Sequence, residues 1–160
     1  VRRHAARVEA EYVGESRPPG VVAKLLAPRG GEVKHFDRFI LPSIAQVEYR
    51  LGDSHLCISA ALSPVEDYVT KLFVTFTFRL PFPGAFVKPI LRPFALRVFG
   101  QDAAMLARQT ETIEHFGEER YKFTEIDVLG AEIYDLLRNG RSADSSLRST
   151  PAIRSLRLRV

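Results

Sequence analysis

The sequence predicts an α+β domain in which a curved antiparallel sheet wraps one long helix. The first half of the chain alternates apolar and polar residues with a period of two, which is typical of half-buried strands. Short turns connect these segments, as they do between neighbouring antiparallel strands. From about residue 86 the period changes to that of a helix, and Gly117 is a typical residue at a helix C-terminus.

The predicted strands follow one another closely along the chain. They cover residues 6–13, 35–41, 43–51, 54–62 and 71–80. Gly52-Asp53 is a hairpin signal between two of them. The segment 21–27 lies between Pro/Gly-rich breaks and is ambiguous.

The strand 71–80 has the clearest alternation in the chain. It places four apolar side chains on one face: Leu72, Val74, Phe76 and Phe78. The opposite face holds polar residues and Phe73. Either face could line a pocket, and core packing would produce the same pattern.

The second half is predicted to be mainly helical. A helix over about 86–116 is expected to be interrupted near Pro89 and Pro93, because proline removes a backbone donor. Residues 121–127 could form a final strand, and 131–138 a last short helix. The expected domain spans 1–138, and 139–160 is expected to be a basic, flexible tail.

The net charge of +4 is concentrated in that tail. Five arginines and one acidic residue lie in 139–160, and the remaining chain has 18 basic and 18 acidic residues. The body is therefore not expected to bind nucleic acid. A single cysteine, Cys57, suits a reducing compartment and a cytoplasmic location. No apolar run approaches the roughly 20 residues needed to span a bilayer.

One carboxylate stands out on the long helix. Asp102, Met105, Gln109 and Ile113 form one helical stripe, which is mostly apolar and should face the sheet. Asp102 would then be buried or directed into a cavity, where a lone charge needs a partner or a cation. It could pair with Arg97 or Arg108, or it could bind a metal.

The four histidines offer no obvious second ligand. His115 lies about 20 Å along the helix from Asp102 and on another face. His4, His35 and His55 each lack a second histidine at metal-binding spacing, and each is expected on the surface or in a loop.

Four stretches, taken in order, resemble the catalytic domain of Rieske non-haem iron oxygenases, in the branch of pheophorbide a oxygenase and vanillate demethylase-type enzymes. They are Phe39-Ile40-Leu41-Pro42 with the strand ending at Tyr49, Leu62-Ser63-Pro64-Val65 with Tyr68-Val69-Thr70-Lys71, Gln101-Asp102 with Gln109, and Asp127 with Ala131 to Arg138. Together they cover about residues 35–138.

The resemblance implies a helix-grip fold of the START/Bet v 1 type and a mononuclear Fe(II) bound by two histidines and Asp102. It implies a substrate pocket between sheet and helix, with Leu72, Val74, Phe76, Phe78, Met105 and Gln109 as candidate lining residues. The implied reaction is oxidation of an apolar or aromatic substrate by O2, such as ring hydroxylation or demethylation. A reductase or ferredoxin would supply electrons, and a homotrimer is the usual assembly.

The family's histidine ligands and its [2Fe–2S] Rieske cluster ligands have no counterpart in the chain. We therefore expect a fragment that lacks the N-terminal Rieske part and is inactive alone. The competing hypothesis is a helix-grip carrier of a hydrophobic ligand without enzymatic activity.

Overall fold

In the computed structural model, residues 1–16, 30–124 and 126–139 are described. Six strands form one open antiparallel sheet, and each strand pairs with the next one in the chain. The strands are β1 (Arg2–His4), β2 (Arg7–Tyr12), β3 (Val33–Ile40), β4 (Ile44–Leu51), β5 (Ser54–Glu66) and β6 (Val69–Arg79). The predicted antiparallel arrangement is confirmed, while the ambiguous segment 21–27 lies outside the described residues.

Strand β5 continues past its predicted end. Its pairing with β4 stops at Ile44 opposite Ala61, whereas its pairing with β6 reaches Glu66 opposite Val69. Pro64 fits within this extension because β4 no longer runs beside it, so its missing N–H leaves no carbonyl of β4 without a donor. A register shift between Pro64 and Glu66 accompanies the change.

The long helix α1 (Lys88–Phe116) follows a short 3-10 turn at Gly84–Phe86. The expected interruption near the prolines is wrong, since one helix runs through both. Pro89 lies in the first turn, where its missing N–H would be unpaired in any case, and Pro93 is tolerated inside the helix. Gly117 ends α1 with a left-handed φ of 73°, and its N–H donates to the Ile113 carbonyl at 2.8 Å.

The predicted strand at 121–127 is also wrong for the residues of that range that the structure describes. The Asp127 carboxylate instead accepts hydrogen bonds from the Thr124 N–H at 2.7 Å and the Thr124 hydroxyl at 3.1 Å. Such local bonds replace the pairing that a strand would need.

The second helix, α2 (Gly130–Asn139), packs on the sheet. Its Leu136 joins Val8 and Phe39 in a buried cluster, and half-buried leucines and Ile133 surround them. Arg3 on β1 pairs with Glu132 at 3.4 Å and with Asp135. The predicted tail starts at Asn139, which is the last residue of α2, and residues 140–160 lie outside the described part.

The chain divides into two compact units. The described residues within 1–81 and 123–139 form the unit that holds the sheet and α2, and residues 82–122 form the unit that holds α1. The predicted α+β class is confirmed, and a six-stranded antiparallel sheet with one long helix provides the elements of the helix-grip fold.

Candidate functional site

The strand register places the basic side chains of β2–β6 on one side of the sheet. Every lysine and arginine of β2–β6 falls on the same face: Arg7, Lys34, Arg38, Arg50, Lys71 and Arg79. We call this the charged face. The opposite side, the apolar face, holds the four predicted pocket residues of β6.

Arg38 is the centre of the charged face. Its guanidinium donates to Glu48 Oε2 at 2.6 Å, to Gln46 Oε1 at 3.1 Å and to the carboxylate of Glu9. Only 13% of the Arg38 side chain and 7% of the Glu48 side chain are exposed. A buried ion pair of this kind is tolerated because additional hydrogen bonds satisfy its polar atoms.

Glu48 accepts hydrogen bonds from three strands. Besides Arg38 on β3, Arg50 Nε on β4 and His55 Nε2 on β5 approach Glu48 Oε1 at 2.6 and 2.7 Å. Burial by itself would raise the pKa of Glu48, but these hydrogen bonds outweigh it and lower the pKa to about 2. The pKa of Glu9 is lowered and that of Arg38 is raised for the same reason. The hydrogen-bonding groups of these side chains are paired with one another. The cluster therefore links strands β2, β3, β4 and β5.

The apolar face contains the predicted pocket residues of β6 side by side. Leu72, Val74, Phe76 and Phe78 lie opposite four residues of β5, in the order Leu62, Ala60, Ile58 and Leu56. Three small, half-exposed residues, Ala45, Val47 and Ala60, lie at the centre of the same face. The register therefore places these smaller side chains next to the larger ones of β5 and β6.

A polar cluster lies on the apolar face, at its β2–β3 end. The His35 ring stacks between Tyr12 and Tyr49, with ring centroids 4.6 and 4.1 Å away. His35 Nε2 lies 3.0 Å from Asp37 Oδ1. Its Nδ1 lies 3.2 Å from Glu15 Oε2, but the angle is not that of a hydrogen bond, so this buried nitrogen has no hydrogen-bond partner among the described residues.

The two carboxylates change the chemistry of the neighbouring tyrosine. Burial and the adjacent Asp37 carboxylate raise the pKa of Tyr12 to about 12. The expectation that His35 lies on the surface or in a loop is wrong, since its side chain is only 12% exposed and sits in β3. Sequence analysis missed this cluster, although the alternation Lys34-His35-Phe36-Asp37-Arg38 already assigns His35 and Asp37 to one face.

On α1, Asp102, Met105 and Gln109 are all exposed. The expected burial of Asp102 against the sheet stays a prediction, because α1 and the sheet belong to separate compact units. Apolar residues occur all around α1, so its sequence does not define a single inward-facing side.

The alternative role considered for Asp102, an ion pair with a nearby arginine, is not observed. Within the described ranges Asp102 forms no ion pair with Arg97 or Arg108. These arginines lie five and six positions away, not at the three- or four-residue spacing of helical pairs.

A complete metal site is not present in the described part of the chain. No group of three or more His, Cys, Asp or Glu side chains there could hold a metal ion. His115 lies in the last turn of α1 and contacts Phe116 edge-on, while His4 and His55 are in strands. Asp102 by itself does not meet the coordination needs of a mononuclear iron, which takes three protein ligands in a facial triad.

The sheet and long helix define an α+β domain of the helix-grip type, and comparison with known families identifies it further. The family model of the vanillate O-demethylase oxygenase C-terminal domain matches residues 1–139. The chain belongs to this family of Rieske oxygenases. No curated protein and no solved structure matches the chain. None of the described helices is long and apolar enough to cross a membrane.

Proposed function

We propose that the chain is part of the catalytic domain of a Rieske-type mononuclear non-haem iron oxygenase, and that Asp102 is its carboxylate ligand to iron. The family match over residues 1–139 carries this proposal. The substrate is apolar or aromatic, and the reaction is an O2-dependent oxidation such as ring hydroxylation or demethylation.

The state of Asp102 supports its assignment as a ligand. Among the described residues its carboxylate forms no ion pair with Arg97 or Arg108, so no arginine competes with a cation for it. Fe(II), when bound by two histidines and a carboxylate, supplies open positions for O2 and substrate. Both histidines would come from outside the described residues, so we expect the chain by itself to be inactive.

The remaining cofactor and partners follow from family membership. A [2Fe–2S] Rieske cluster needs two cysteines and two histidines, and this chain has one cysteine. We therefore assign the cluster to another part of the enzyme. A reductase or ferredoxin supplies electrons, a homotrimer is the expected assembly, and the single Cys57 favours the cytoplasm.

Residues of the chain itself would contact the substrate. On the sheet, Leu72, Val74, Phe76 and Phe78 present apolar surface for an apolar body. On α1, Met105 and Gln109 lie one and two turns from Asp102 on the same side of the helix. We assign both sets to substrate contact.

Metal analysis of the complete gene product that contains this chain tests the proposal. Asp102→Asn should reduce the mononuclear iron content at least about tenfold, because one of three ligands is lost, and should leave the visible absorption of the Rieske cluster unchanged. Glu111→Gln is the matched control. It removes a carboxylate nine residues along the same helix, about 180° around its axis, and should retain iron.

The carrier hypothesis makes the opposite prediction. If Asp102→Asn and wild type hold the same amount of mononuclear iron, or neither holds any, the oxygenase assignment of Asp102 is wrong. Retention of a hydrophobic ligand without iron would then favour a carrier.

A further inference from the structure

We propose that the apolar face of the sheet selects a substrate with an apolar body and a protonated amine, and that Asp37 holds the amine beside the Tyr12–His35–Tyr49 stack. The inference rests on the proposed function, because it names the substrate class of the same domain. It differs from the family description, in which vanillate is an anionic carboxylate.

The distribution of charge over the two faces is the first argument. Among the described residues of β2–β6, the apolar face has no lysine or arginine to bind an anionic group. On β1, Arg3 lies on the same face, opposite Val8. Its charge is already paired with Glu132 and Asp135. A carboxylate placed on this face would meet Asp37 and Glu15, and the described strands β2–β6 offer no lysine or arginine there to offset the repulsion between like charges.

The accessibility of the carboxylates is the second argument. Asp37 keeps 27% of its side chain exposed and Glu15 keeps 41%, although His35 between them is largely buried. A carboxylate has about four lone-pair positions, so Asp37 can accept a further donor in addition to His35 and the Tyr12 hydroxyl. Tyr12 and Tyr49 stack on the two sides of the His35 ring and hold it beside Asp37.

The strand register sets the distance between the two ends of the proposed binding surface, and this distance indicates the length of the substrate. Asp37, Val47, Ile58 and Phe76 are directly opposite one another on β3, β4, β5 and β6. Three strand spacings separate Asp37 from Phe76, which is roughly 14 Å. Val47 and Ile58 lie between the two ends, with Ala45 and Ala60 in the neighbouring row, so an elongated ligand can lie across this apolar surface with its amine at Asp37 and its apolar end at Phe76.

Three ligands that share the same para-butoxyphenyl group but differ in charge test the inference. All three are added to the full chain in the absence of iron. They are para-butoxybenzylamine, para-butoxybenzyl alcohol and para-butoxybenzoate, which are cationic, neutral and anionic at neutral pH. Dissociation constants come from NMR titration of the His35 and Tyr12 ring signals. The amine should bind at least about tenfold more tightly than the benzoate, and the alcohol should lie between them.

Variants on the two faces separate the site from a general charge effect. Asp37→Asn should weaken binding of the amine about tenfold and change binding of the alcohol much less. Glu15→Gln, which lies outside the strands, should weaken binding of the amine about threefold. This variant provides the test if the Asp37→Asn protein does not fold. Glu11→Gln removes the same charge from the charged face and should leave all three affinities unchanged.

The inference is overturned if the benzoate binds as tightly as the amine, or if folded Asp37→Asn and Glu15→Gln proteins bind the amine like the wild type. This failure is distinct from that of the proposed function. Loss of the amine preference leaves the iron result for Asp102 intact, and an Asp102→Asn protein that retains iron leaves the amine preference intact.

Discussion

Arg38 and Glu48 lie on neighbouring strands, and the Arg38 guanidinium donates to the Glu48 carboxylate at 2.6 Å. Both side chains are almost entirely buried. Arg50 and His55 complete the shell of donors around Glu48, so one carboxylate joins strands β3, β4 and β5. Stability of the sheet should therefore depend on this residue more than on any exposed acidic residue of the same face.

Substitution of Glu48 by glutamine should destabilise the domain. The change leaves the buried charge of Arg38 with a weaker partner, and loss of one member of a buried ion pair costs about 3 kcal/mol. The free energy of unfolding in urea measures this effect. Glu11→Gln is the control, because Glu11 pairs with Arg2 at a more exposed position and its loss should cost less than about 1 kcal/mol. Equal losses for the two variants would contradict the central role of Glu48.

The lowered pKa of Glu48 predicts acid sensitivity. The pKa falls from 4.5 to about 2 in the folded protein, so the stabilisation is complete above pH 4.5 and is lost as the pH falls toward 2. The shift corresponds to about 3 kcal/mol at neutral pH. Unfolding measured over this acidic range should show a steeper loss for wild type than for Glu48→Gln. Parallel curves would show that Glu48 is not the group that titrates.

The raised pKa of Tyr12 predicts a late ionisation at alkaline pH. Its folded pKa of about 12 lies above the ordinary value of 10.0, so its contribution to stability is complete below pH 10 and is lost as the pH rises through 12. Phenolate absorbance should contain a component with a midpoint near 12 that Tyr12→Phe removes. Asp37→Asn should shift that component to lower pH, because one neighbouring negative charge is lost.

The contact between α2 and the sheet predicts a difference between two adjacent leucines. Leu136 is 2% exposed and packs with Val8 and Phe39, so Leu136→Ala should cost about 3 kcal/mol. Leu137 is 47% exposed, so Leu137→Ala should lower the free energy of unfolding by less than about 1 kcal/mol. Thermal unfolding distinguishes the two, and similar midpoints for both variants would argue against docking of α2 through Leu136.

Sequence periodicity predicted the sheet well because successive side chains of a strand point to opposite faces, and the strands alternate apolar and polar residues accordingly. In the structure, Ala45, Val47, Tyr49 and Leu51 share one face, as the alternation in the predicted strand 43–51 requires. The extension of β5 through Pro64 was not predictable, since it depends on where β4 ends. The strand expected at 121–127 failed because the bonds between Thr124 and Asp127 favour a turn.

The candidate site could be predicted from the sequence less completely than the fold. Asp102 was found through a motif, and its role as a ligand stays a prediction. His35, Asp37, Tyr12 and Glu15 come from two strands and a following segment, so only the register between β2 and β3 brings them together. The same holds for Glu9, Arg38 and Glu48, which no spacing along the chain relates.

Strand β3 carries both clusters on alternate residues, with His35 and Asp37 on one side and Phe36 and Arg38 on the other. The two groups share a backbone but no side-chain contact, and effects of substitutions at sites without shared partners tend to be additive. Substitutions at His35 or Asp37 should therefore leave the ion network that secures the strands unchanged. A sheet organised in this way separates the residues of the proposed ligand site from those that stabilise the fold.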